Sequence, residues 1–180
     1  LKDFNCEKEY LSINNKLNRL DIYFGELKKS EISVVDVLSE ARIEKSRQSS
    51  FLQKNEPATI NIKQVNKPLK YIFELSEATI KANLINEFAN KINALILENK
   101  DKNKVFLTSN KFEEDDLLNL CKSYEIIGIC NNLNEVIRIL KFKSFGKVVL
   151  KYSIEPKDYW KERNMIENQL NKNIKKEANL

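Results

Sequence analysis

Apolar residues in the first thirty positions recur at a helical spacing. Cys6, Tyr10, Ile13, Leu17, Leu20, Phe24 and Leu27 lie 4, 3, 4, 3, 4 and 3 residues apart, the alternation of a coiled-coil seam. About three heptads are covered, with Gly25 near the end, so the pattern predicts either a coiled coil or an amphipathic helix packed on its own domain. A second stretch, "SEISVVDVLSEARIEKSRQ", sets Val34, Val37, Leu38 and Ala41 on one face, although its β-branched run weakens a helix. Together these stretches predict an N-terminal helical segment, coiled coil or helical hairpin, over residues 1–48.

Periodicity then disappears. Residues 49–66 are mostly polar, with Pro57 within them and Pro68 just after as breakers, which reads as a linker. Within it "ATINIKQV" (58–65) alternates well enough for a short edge strand. After Pro68 the pattern becomes regular: strand 69–75, helix 77–99, strand 104–109, helix 113–124, strand 125–130, helix 133–142 and strand 147–153. Short apolar strands alternating with helices predict an α/β domain over residues 67–154, a small, mainly parallel four-stranded sheet with flanking helices in the order β-α-β-α-β-α-β. A C-terminal helix over 155–180 follows, opening at Pro156, a favourable first helical residue.

Composition narrows the chemistry. The 180 residues suffice for one core with extensions, and no apolar run reaches the roughly 20 residues of a spanning helix. Histidine is absent and glycine occurs only at Gly25, Gly128 and Gly146. The first absence removes Ser-His-Asp and Cys-His arrangements; the second removes phosphate-cradling glycine loops. Cys6, Cys121 and Cys130 are too few for a standard zinc site without histidine. Their odd number suits a reducing compartment, hence a cytoplasmic protein. No metal and no cofactor is expected.

The net charge of +5 divides as 11 basic against 10 acidic residues in 1–66, 14 against 11 in 67–154 and 6 against 5 in 155–180. No segment holds a dense basic block, and only five of the basic residues are Arg, so nucleic acid is an open but not favoured partner. Lys141, Lys143, Lys147 and Lys151, interleaved with Phe142, Phe145 and Tyr152, form the one stretch that could contact single strands. Alternation along a strand accounts for it more simply.

The run Glu113, Glu114, Asp115 and Asp116 resembles a metal or acid-base cluster. Asn110 stands three residues before Glu113, however, which is the spacing of a capping box, and acids in a first turn complement the helix dipole. Asn132 and Glu135 repeat the device, and Ser76 precedes the long helix. In a parallel sheet these caps share the carboxyl edge where ligands bind, so Ser76, Ser109, Asn110, Asn131 and Asn132 are the candidate ligand-binding residues. No catalytic residue is expected.

The leading expectation is a non-enzymatic interaction, regulatory or scaffold module. It would bind a second copy or a helical protein through Tyr10, Ile13, Leu17, Leu20, Phe24 and Leu27, with Trp160 as a further anchor. The alternatives are a nucleic-acid-binding accessory protein and a small-ligand receptor or enzyme domain using the carboxyl edge.

Overall fold

Residues 6–24 form a hairpin, not a helix. In the computed structural model, which describes residues 4–45, 63–99, 104–151 and 154–171, strand β1 (Cys6–Ile13) pairs antiparallel with β2 (Lys16–Phe24). Asn14 and Asn15 join them with φ of 52° and 64°, the left-handed conformation a two-residue hairpin turn demands and asparagine tolerates. Gly25, at φ 58°, turns the chain away after β2. The predicted N-terminal helical segment and its coiled-coil seam are therefore overturned. The spacing of 4 and 3 straddles a turn: Tyr10 and Ile13 belong to one strand, Leu17 to Phe24 to the next.

Strand β3 (Ile32–Asp36) lies parallel to β1 on its other side, and β4 (Arg42–Lys45) pairs antiparallel with β3. The β-branched run that weakened the helical reading is what fills β3. The sheet order is β2-β1-β3-β4. Register puts Tyr10 beside Val34 and Val34 beside Ile43 on one face, and Glu9 beside Ser33 and Ser33 beside Glu44 on the other. Tyr10, Val34 and Ile43 thus line one face, and the glutamates of β1 and β4 share the other.

The second sheet contains β5 (Gln64–Val65), β6 (Tyr71–Leu75), β7 (Leu95–Leu97), β8 (Phe106–Ser109) and β9 (Cys121–Glu125), in the order β5-β7-β8-β6-β9. Only β5 and β7 are parallel; the other pairings are antiparallel. This overturns the single, mainly parallel four-stranded sheet. The expected helix 77–99 is two short ones, α1 (Glu77–Lys81) and α2 (Ile85–Lys91), followed by β7. Asn83 (φ 56°) and Asn93 (φ 50°) stop them in the left-handed conformation. The expected helix 113–124 is a 3-10 turn, Asp116–Leu120, running directly into β9. Of the expected strands, 125–130 has no regular strand beyond Glu125, and 147–151 has none. Of the expected edge strand 58–65, only Gln64 and Val65 pair as β5; residues 46–62 lie outside the described part, and so do 172–180 of the C-terminal helix.

The described residues divide into two compact units after Ile126. In the first, Val34 and Ile43 from one sheet share a core with Phe73, Leu75 and Leu107 from the other, closed by Leu84, Phe88 and Leu120. In the second, α3 (Leu133–Phe142) packs on α4 (Pro156–Asn171) through Ile137, Ile166 and Leu170, with Leu140, Val148 and Leu150 around them. Among the described residues no helix is long and apolar enough to cross a membrane.

Candidate functional site

The charged face of the first sheet carries the densest polar network of the first unit. Glu7 and Glu9 sit two residues apart on β1, so their side chains share a face. Register sets Glu7 beside Tyr23, and Glu9 beside both Asp21 and Ser33. Arg42, at the start of β4, reaches across β3 to both carboxylates and bonds Glu44 through Nε at 3.0 Å. Each of its three nitrogens thus holds one carboxylate.

Glu7 is only 1% exposed. Its carboxylate accepts hydrogen bonds from the Ser33 hydroxyl (2.7 Å), the Ser30 hydroxyl (2.9 Å) and the backbone N–H groups of Lys29 (2.8 Å) and Ser30 (3.1 Å). Burial pushes its pKa up, but the donors at Ser33, Lys29 and Ser30 together outweigh burial and hold it at about 2. The Arg42 guanidinium is half-buried, which lowers its pKa, but its bonds to Glu44, Glu9 and Glu7 outweigh this and raise it. Tyr23 donates to Glu9 at 3.0 Å, which raises the phenol above its ordinary value. A carboxylate ionised so far below neutrality cannot relay a proton at physiological pH. The cluster instead ties together strand β1, the turn through Lys29 and Ser30, strand β3 through Ser33, and strand β4.

Beside it is an open cleft of about 480 Å³, lined by Ser39, Glu40, Ala41, Arg42, Lys91, Asp115, Asp116 and Leu117. The acid run therefore borders a concavity, though not in the way a capping box at Asn110 implied. Residues 111–115 form no helix; Asp115 is the cap, accepting from the Leu117 N–H at 2.8 Å. Phe112 holds the loop down, its ring 5.4 Å from that of Tyr71 and 6.3 Å from that of Phe73. Among the described residues no three His, Cys, Asp or Glu side chains are grouped so as to hold a metal ion.

The residues expected at a common sheet edge are dispersed. Ser76 is buried at the N-cap of α1, where its hydroxyl accepts from the Thr79 N–H. Ser109 ends β8 beside Tyr71, at the opposite end of β6 from Ser76. Antiparallel pairing reverses alternate strands, so there is no shared carboxyl edge. Asn110 is exposed next to Ser109. Asn131 and Asn132 are in the second unit, where Asn132 accepts from the Glu135 N–H at 3.0 Å and Glu135 accepts from the Asn131 N–H at 3.1 Å. That is a reciprocal helix cap.

The expected interaction residues also part company. Tyr10 and Leu17 pack against the core and Ile13 is half-buried. Leu20, Phe24 and Leu27 are 42%, 53% and 71% exposed. Trp160 is exposed on α4, edge-on to Tyr159 and 5.2 Å from the Arg163 guanidinium. Glu7, Glu9, Ser30, Ser33 and Arg42 were not anticipated. For the two glutamates the signal is the alternation in "CEKEYLSI", which places both on one side of a strand.

Comparison with protein-family models, curated proteins and solved structures gave no match to this chain.

Proposed function

We propose that the chain is a non-catalytic protein-binding module acting through the outer edge of β2, in a reducing compartment such as the cytoplasm. The carrying observation is β2 itself. It is nine residues long and stands at the end of its sheet with β1 as its strand partner among the described residues. Leu20 and Phe24, the register partners of Tyr10 and Cys6, lie on the core-facing side yet remain exposed. A long edge with exposed apolar residues is a template for strand addition. An edge strand takes a strand, so a second copy or an extended segment of another protein fits it better than a helix does. The three cysteines are free thiols, which supports the compartment.

Sedimentation equilibrium of the full chain, beside Leu20→Lys, tests the reading. A wild-type dimer and a monomeric, folded variant are expected. Slow amide exchange in β2 at every concentration, in a monomer, would show the edge already covered by its own chain and would overturn it.

A further inference from the structure

The division after Ile126 redistributes the charge. Residues 1–126 contain 20 basic and 20 acidic residues, and residues 127–180 contain 11 and 6. The entire net charge of +5 therefore belongs to the second unit. Counting over 67–154 had diluted it with the acid run of the first.

Within that unit the positive charge has a face. Arg138, Lys141 and Phe142 stand at i, i+3 and i+4 on α3, so they share one side of the helix, and all three are exposed. The adjoining side carries Ile137 and Leu140 into the core with Ile166 and Leu170. Lys143 follows, and Ser144 at φ 58° turns the chain sharply, with the Phe145 N–H bonded to the Leu140 carbonyl at 2.9 Å. This brings exposed Phe145 and Lys147 directly after the helix end. Among the described residues Arg138, Lys141 and Lys143 have no carboxylate partner, whereas Arg42 of the first unit holds three.

The helix dipole favours cations in the last turn, which accounts for Lys141. It does not account for Phe142, 84% exposed among them. We propose that this surface binds single-stranded nucleic acid, with Arg138, Lys141 and Lys143 meeting phosphates and Phe142 stacking on a base. Flexible single strands can turn bases out onto an aromatic ring while the backbone follows cations. An anionic membrane fits less well: a helix lying in a bilayer surface needs a broad apolar face, and that face of α3 is turned to α4. This inference is independent of the reading of β2.

The test is fluorescence anisotropy of the full chain with labelled thymidine and uridine oligonucleotides about 12 nucleotides long, over a salt series. Vesicles of phosphatidylserine and phosphatidylcholine form a parallel arm. Affinity should fall with salt, with a log–log slope of about 0.7 per phosphate neutralised, and Lys141→Glu with Lys143→Glu should reduce that slope by about 1.4. Phe142→Ala should weaken binding about five- to hundredfold without changing the slope. Circular dichroism checks that these exposed substitutions leave the fold intact. No oligonucleotide binding at about 50 mM salt, binding to vesicles alone, or a Phe142→Ala variant equal to wild type would each overturn the proposal.

Discussion

The two units of this chain handle charge in opposite ways. In the first, basic and acidic residues are equal in number and several are joined in ion pairs, as in Arg42 with Glu7, Glu9 and Glu44, Lys45 with Glu87 and Lys104 with Glu74. In the second, Arg163 pairs with Glu167, but among the described residues Arg138 and Lys141 on α3 stand without carboxylates, and Ile137, Ile166 and Leu170 form the buried cluster. Removing one partner of a buried pair leaves an uncompensated charge, whereas exposed unpaired cations leave their field open to an anionic partner. Each unit is vulnerable where its contacts concentrate: the first at its ion cluster and large core, the second at a few apolar contacts and a cap.

The largest expected effect is in the first unit. Glu7→Ala leaves the Arg42 guanidinium and the Ser33 and Ser30 donors facing a void, and should lower stability by about 3–5 kcal/mol in urea unfolding. If the loss is under about 1 kcal/mol, the cluster is ornamental to that unit. Acid should expose the same feature. With its pKa held at about 2, below the ordinary 4.5, Glu7 contributes stability that is fully present above pH 4.5 and fades as pH falls toward 2. The contribution is on the order of 3 kcal/mol. Glu7→Gln should flatten that part of the pH profile; an unchanged profile would count against it.

In the second unit Ile137→Ala should cost about 2 kcal/mol or more. It is expected to speed amide exchange in α3 and α4 while β6 and β8 stay protected. Smaller again, Asn132→Ala removes the acceptor of the Glu135 N–H and should cost about 1 kcal/mol, read from the thermal midpoint of α3 unfolding. The least disruptive probe is chemical. Cys121 is buried, which pushes its thiol up to about 11, so at pH 8 it should alkylate far more slowly than half-buried Cys130. Equal rates would mean that the β9 edge of the first unit opens readily.

Several elements could be read directly from residue order. The helix 133–142, with Asn132 and Glu135 as its cap, is present with those bounds, because an apolar stripe and a local hydrogen bond need no distant partner. The cores of strands 69–75 and 104–109 were also legible from short apolar runs. The N-terminal hairpin was not. Its spacing of 4 and 3 arises from two strands and a turn, and the signal for the turn is the Asn14-Asn15 pair. Asn83 and Asn93 similarly broke a helix that apolar spacing alone made continuous. The candidate site was less legible than the fold. Glu7 and Arg42 lie 35 residues apart, and nothing local in either marks the other.

Residue order settled what depends on neighbours within a few positions: helix caps, short apolar strands, and the absence of histidine and clustered glycine. Strand pairing settled the rest, because register across a sheet is a long-range choice made by whole faces at once. It put Glu7 and Glu9 under Arg42 and reversed alternate strands, so that the carboxyl edge dissolved. Packing drew the boundary after Ile126 that leaves one unit neutral and gathers all of the net positive charge into the other.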